Sequence, residues 1–202
     1  MIDVHQDGAL WRVVINRPDK ANSLTRAMLT ELAEVAEAAS GTAKVFVLTG
    51  VGKVFSAGAD LDEARAGLAV DSVWERLSGA VAGLECLTVC ALNGTLAGGA
   101  FGMALACDLR ICVPEAKFFY PVMKLGFLPQ PSDPARLAAL VGPARAKLVL
   151  MAGQKLTAEQ SLGFGLVDEV VTREALEARV AELSGDVLAA EPSHIAGIKR
   201  LI

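Results

Sequence analysis

Histidine is almost missing from this chain of 202 residues: His5 and His194 are the only two, and neither lies near Cys86, Cys90, Cys107 or Cys112 in sequence. No C-x-x-C pair occurs either, so the ligand spacing of a structural metal site is lacking. The cysteines all sit in apolar stretches without a neighbouring base and read as buried, reduced thiols rather than nucleophiles. Basic charge is short as well, with 19 Lys and Arg against 23 Asp and Glu, a net charge of -4 and a pI near 5.3. That balance offers no field for a nucleic-acid backbone. A G-x-G-x-x-G fingerprint is absent, which argues against a dinucleotide site. Cys86 to Cys107 is an uncharged run of 22 residues, yet Asn93-Gly94 and Gly98-Gly99 interrupt it, so it does not read as a membrane span. The N-terminus has no charged region followed by an apolar core, which removes a secretory signal and leaves the cytoplasm as the expected location.

What is abundant is apolar surface. Hydrophobic residues make up 53% of the chain and the mean hydropathy is +0.44. This length suits one domain with a sizeable core, and the excess apolar content predicts a face covered by other subunits.

Two glycine-bearing turns carry the chemistry. In Leu84 to Val113, a short strand from Thr88 to Leu92 is broken at Asn93-Gly94, and Gly98-Gly99 open a helix of small apolar residues. The first amides of such a helix lack intrahelical partners and lie at the positive end of its dipole. In residues 45–63, a strand at Val45 to Leu48 leads through Gly50 and Gly52 to Phe55-Ser56-Ala57-Gly58-Ala59-Asp60 and another helix. One amide from each turn, those of Ala59 and Gly99, aimed at a single carbonyl oxygen would form an oxyanion hole.

The segments FSAGADLDE and ALNGTLAGGAFGMALACDLRI, with NRPDKANSL before them, resemble the crotonase family, the enoyl-CoA hydratase/isomerase superfamily, over nearly the whole chain. The resemblance implies an α/β fold with a crotonase-like ββα superhelical core. It further implies a coenzyme A thioester, or an acyl-carrier thioester, as the species bound, with no permanent cofactor, and a homotrimer or dimer of trimers. By the same resemblance Lys20, Ala21, Ala57, Asp60 and Leu61 are expected to contact the coenzyme A part. Residues 1–190 would form the spiral core and 191–202 the start of a C-terminal helical segment. Family chains usually continue with further helices, so either a tail is absent here or the protein is naturally short.

The remaining elements follow from pattern. Leu10 to Asn16 reads as a strand paired with one near Ile2 to His5, and Arg26 to Ala39 as an amphipathic helix with Met28, Leu29, Leu32, Val35 and Ala36 on one face. A helix over 72–84 presents Val73, Trp74, Leu77, Val81 and Leu84. Lys117 to Tyr120 reads as a strand and Pro121 to Pro134 as a stiff loop; helices follow at Ala135 to Val141, Pro143 to Met151 and after Thr157, the last ended by Gly163 and Gly165. Leu166 to Val171 is expected to be a strand, and Glu174 to Ala190 a long helix.

At the catalytic positions the sequence departs from the family. The two places where its hydratases carry glutamate hold Gly102 and Val122, and Gln130 stands where some isomerases and hydrolases place a carboxylate. None of these three side chains can act as a proton-transfer base. Tyr120 and Asp133 are the remaining candidates, although Ser132-Asp133-Pro134 before a helix reads first as an N-cap with proline entering the helix. Asp60 is expected to serve a helix start, while Asp62, Glu63 and Lys124 are weaker pocket candidates. The expected activity is thioester-enolate chemistry that needs little proton transfer, isomerisation or decarboxylation. The alternatives are a non-catalytic acyl-thioester binder or assembly subunit, and a hydratase or thioester hydrolase using an unassigned carboxylate.

Overall fold

The computed structural model describes residues 1–202. Its chain starts with a hairpin, β1 (Ile2–Asp7) against β2 (Leu10–Ile15), followed by helix α1 (Arg26–Ala39). Thr25 caps α1 by accepting from the Met28 amide at 3.2 Å, and the side chains of Met28, Leu29, Leu32 and Ala36 are buried along one face.

From there the chain repeats one unit: a strand of a large sheet, a short strand of a small sheet, then a helix. The first turn is β3 (Val45–Gly50), β4 (Val54–Ser56) and α2 (Leu61–Arg65), after which α3 (Val73–Ala82) crosses back. The second is β5 (Leu87–Leu92), β6 (Thr95–Ala97) and α4 (Phe101–Leu105), and the third β7 (Leu109–Cys112), β8 (Lys117–Phe119) and α5 (Val122–Leu125). Corresponding strands stack in parallel, β2-β3-β5-β7 in the large sheet and β4-β6-β8 in the small one. Two faces of strand and one of helix per turn enclose a continuous core in which Phe46, Phe55, Phe101 and Phe118 are fully buried. This is the α/β spiral of ββα turns that the resemblance implies.

The chain continues with α6 (Asp133–Val141), α7 (Pro143–Leu150), β9 (Leu156–Thr157), α8 (Ala158–Phe164), β10 (Glu169–Val170), α9 (Arg173–Ala189) and α10 (Pro192–Leu201). Three expectations change. The stretch 121–134 is not only loop, since Val122–Leu125 forms a helical turn ended by Gly126 in the left-handed region. The strand expected over 166–171 shrinks to Glu169–Val170: Leu166 and Val167 instead bond back to Ser161 to close α8. Gly163 lies inside α8, which ends at Gly165 with φ +79 after a capping box between Thr157 and Gln160. The uncharged run 86–107 is split among β5, β6, a 3₁₀ turn and α4, and no helix is long and apolar enough to cross a membrane.

Candidate active site

The loop that joins β2 to α1 is strained and held down. Ala21 and Asn22 both have positive φ, 51° and 53°, which costs a non-glycine residue energy unless neighbours fix it. Asn22 is fully buried and supplies that fixing: its Nδ2 donates to the carbonyls of Val51 at 2.9 Å and Val54 at 2.7 Å, and its Oδ1 accepts from the Arg17 amide at 2.8 Å. The same loop clasps the first glycine turn. Ala57 N–H donates to Ala21 O at 3.0 Å, Ser56 Oγ to Asn22 O at 2.8 Å, and Leu24 N–H to Gly58 O at 2.7 Å.

Against this turn lies the second. Gly58 has φ +89 and Gly98 φ +58, and a Cβ built on Gly58 would come 2.9 Å from the Ala97 carbonyl and 3.3 Å from Gly98 Cα. Only glycine allows the two backbones this approach. The amides of Ala59 and Gly99 donate to none of the turn, loop or cap hydrogen bonds, and both residues border one cavity of about 230 Å³. Ala57, Leu61, Trp74, Tyr120, Val122 and Gln130 border it too. Trp74, which sequence pattern marked only as a core residue, packs its ring 3.2 Å from where a Cβ on Gly99 would sit. A larger concavity of about 740 Å³ lies between α10 and the start of β7; there Lys199 and Asp108 neutralise each other at 2.8 Å, and it borders neither glycine turn.

Not every expected residue reaches this cavity. Asp60 is occupied as a helix cap and ion pair: Oδ1 accepts from the amides of Asp62 and Glu63, Oδ2 from Arg17 at 2.8 Å, and the Arg17 hydrogen bond holds its carboxyl below the ordinary range. Lys20 is exposed and stands off the cavity, and Lys124 is exposed on α5. Glu63 accepts from the Arg26 amide at the start of α1, and Asp62 pairs with Arg65 at 3.2 Å. Neither is a pocket carboxylate.

Asp133 corrects the expectation most. Its side chain caps no helix: it is the first residue of α6, Ser132 takes the cap position, and Pro134 follows as the second helical residue. Burial explains the difference, since at 1% exposure the Asp133 carboxyl faces inward, accepting from the Tyr120 hydroxyl at 2.9 Å. Ser132 meanwhile turns its amide and hydroxyl to Glu75 of α3. The second Asp133 oxygen, Oδ1, has no partner. Tyr120 follows directly after β8, stacks on Phe101 with centroids 5.4 Å apart, and accepts from the Gln130 amide at 3.3 Å. Gln130 itself is buried and spends its Nε2 on the Ala69 carbonyl at 3.0 Å. Burial pushes the Asp133 carboxyl up to about 7, against the pull of the Tyr120 hydrogen bond and with a further push from Glu75, while Arg136 opposes. The Tyr120 phenol is raised as well, by burial first and then by the neighbouring Asp133 charge.

Gly102 and Asp133 prove to be neighbours. A Cβ on Gly102 would stand 3.0 Å from Asp133 Oδ1, so the carboxyl occupies the space that a side chain at 102 would need. Val122, 8% exposed, is part of the cavity wall.

The Enoyl-CoA hydratase/isomerase family profile matches residues 5–202. The chain is 35% identical over 186 residues to "Probable enoyl-CoA hydratase echA6" of Mycobacterium tuberculosis, covering 91% of this chain and 76% of that one. It is 34% identical over 203 residues to the carnitinyl-CoA dehydratase of Citrobacter koseri, covering 96% and 77%. A "putative enoyl-CoA hydratase" of Thermobifida fusca YX in complex with CoA superposes with a TM-score of 0.89 at 27% identity, covering 99% of this chain and 83% of that one. By sequence and by fold, then, this chain belongs to the enoyl-CoA hydratase/isomerase family.

Proposed function

We propose that the protein binds a coenzyme A thioester with its carbonyl oxygen between the amides of Ala59 and Gly99, and converts it through an enolate by decarboxylation or isomerisation. The observation that carries this is that Ala59 and Gly99, whose amides are uncommitted, border one cavity together with Tyr120, and that no carboxylate is among its lining residues. Decarboxylation of a 2-carboxyacyl thioester fits that inventory best. Carbon dioxide leaves its bonding electrons on the thioester as an enolate, the two amides stabilise the oxygen, and Tyr120 supplies a proton to carbon. An apolar wall favours the step, because a localised carboxylate charge is lost in reaching the transition state. The Ala21 to Ser23 loop, clasped to the Ala57 turn, is proposed to hold the coenzyme A end. A non-catalytic acyl-thioester binder is the second reading, favoured by the missing carboxylates at 102 and 122.

Calorimetry with butyryl-CoA, a saturated and unreactive thioester, is expected to show binding that Gly99→Val weakens by at least about tenfold, equivalent to 1.4 kcal/mol. A folded variant that binds as tightly as the parent would remove the oxyanion assignment. A screen of 2-carboxyacyl and enoyl thioesters for turnover then separates enzyme from binder.

We also propose assembly through the apolar surface of Met123, Leu125, Phe127, Leu128 and Met151, all at least 40% exposed in the single chain. A trimer or pair of trimers is expected by light scattering at micromolar concentration. A monodisperse monomer would defeat it.

A further inference from the structure

Tyr120 has one hydrogen to give and two places to give it. Its oxygen accepts from the Gln130 amide at 3.3 Å, and its hydroxyl donates to Asp133 Oδ2 at 2.9 Å. While Asp133 is ionised it is an acceptor only, and the phenol's hydrogen stays with it. Once protonated, the carboxyl becomes a donor to the phenol oxygen, and the phenol's hydrogen is released toward the cavity that Tyr120 borders. The hydrogen bonds around Asp133 allow this exchange. Its Oδ1 has no hydrogen-bond partner, so no other group fixes the carboxyl's proton, and the carboxyl fills the space left by the absent side chain of Gly102, where a Cβ would lie 3.0 Å from Oδ1 and 3.6 Å from Oδ2.

We propose that Asp133 is a positioning residue that switches Tyr120 between donating to a carboxylate and donating to substrate, and that it restores the proton Tyr120 gives up. The proposal rests on Tyr120 being the proton donor of the function above. In one turnover the C–C bond to the carboxylate breaks and carbon dioxide leaves. The electron pair on the α-carbon then takes the Tyr120 proton to form a C–H bond, the phenol oxygen takes the proton of Asp133, and Asp133 is left ionised. Water entering the emptied cavity returns one proton to Asp133 through Tyr120, so the cycle consumes one proton from solvent.

The charged and titratable groups facing Asp133 are few. Tyr120 comes from the end of β8, Glu75 from α3 and Arg136 from α6 itself, while α4 presents only Gly102. Glu75 is engaged by the Ser132 amide and hydroxyl, so it adds negative potential without taking the Tyr120 hydrogen. Burial brings the Asp133 carboxyl to about 7, which populates both of its forms near neutrality.

The chain has a single tyrosine, so protein carrying [ζ-¹³C]tyrosine gives one phenol resonance, that of Tyr120. Across about pH 5 to 9 this resonance is expected to show one step with a midpoint near neutrality, absent in Asp133→Asn and moved to lower pH in Glu75→Gln, which removes the charge that adds to the effect of burial on Asp133. With saturating butyryl-CoA the resonance is expected to move more at pH 6 than at pH 9. A resonance flat across the range, or a step unchanged in Asp133→Asn, overturns the proposal; if that variant does not fold, a midpoint unmoved in Glu75→Gln overturns it instead. Failure of the underlying function looks different: the titration step survives while calorimetry detects no butyryl-CoA binding at either pH.

Discussion

Asp133→Asn is expected to stabilise the protein at pH 8 by on the order of 3 kcal/mol and to change its stability little at pH 4. The sign follows from the direction of the shift. The native carboxyl sits at about 7 against an ordinary 3.8, so between these values the folded state holds a proton that the unfolded state has released. Stability from this group is therefore fully present below about pH 4 and is lost as pH rises through 7. Each pH unit of that interval is worth about 1.4 kcal/mol, and part of the gain is offset because the asparagine NH₂ replaces Oδ1 where no partner waits. Urea unfolding of parent and variant at pH 4, 6 and 8 measures it. Destabilisation of the variant at pH 8 would mean that a further group stabilises the ionised carboxylate.

The parts of this site that rest on backbone were legible in the sequence, and the parts that rest on side-chain convergence were not. Gly58, Gly98 and Gly99 mark turns whose glycine content has a local cause, so both amides of the proposed oxyanion hole follow from motif and order. The large-sheet strands of the spiral were equally visible, because Val45 to Leu48 and Thr88 to Leu92 are short apolar runs bounded by turn residues, whereas the short strands Val54–Ser56 and Thr95–Ala97 lie in stretches that read as glycine turns. Asp133 was misjudged because Ser-Asp-Pro before a helix is a local signal for capping, whereas the burial that overrides it comes from α3 and α4, far away in sequence. Glu75 gave no signal, since one acidic residue on an amphipathic helix looks like a solvated one. The pairing of Gly102 with Asp133 is a contact across 31 positions, and nothing local announces it. In Asp60 the opposite holds: its expected helix-start role is what the structure displays, with Arg17 added as a partner through the loop that Asn22 clamps.

The largest expected effect concerns hydration. Turnover of crotonyl-CoA, followed by loss of the enoyl thioester's absorbance, is expected to lie at least about 10⁴-fold below that of a hydratase carrying both glutamates, since a missing general acid or base costs about 10²–10⁴-fold each. Restoring them one at a time is not expected to help. Glutamate at 102 collides with Asp133, because its Cβ alone would lie 3.0 Å from Oδ1, and two carboxyls in that buried space should cost about 3 kcal/mol of stability at pH 8. Adding Asp133→Ala to Gly102→Glu should recover most of that loss, a coupling that a double-mutant cycle reads directly. Val122→Glu puts a carboxyl into an apolar wall, where desolvation raises its pKa and suits it to give a proton rather than take one. Only Gly102→Glu, Val122→Glu and Asp133→Ala together supply both carboxyls and the space for them, so that combination is the one expected to regain measurable hydration. Robust hydration by the unmodified protein would overturn this account and would assign the acid and base work to the Tyr120–Asp133 pair.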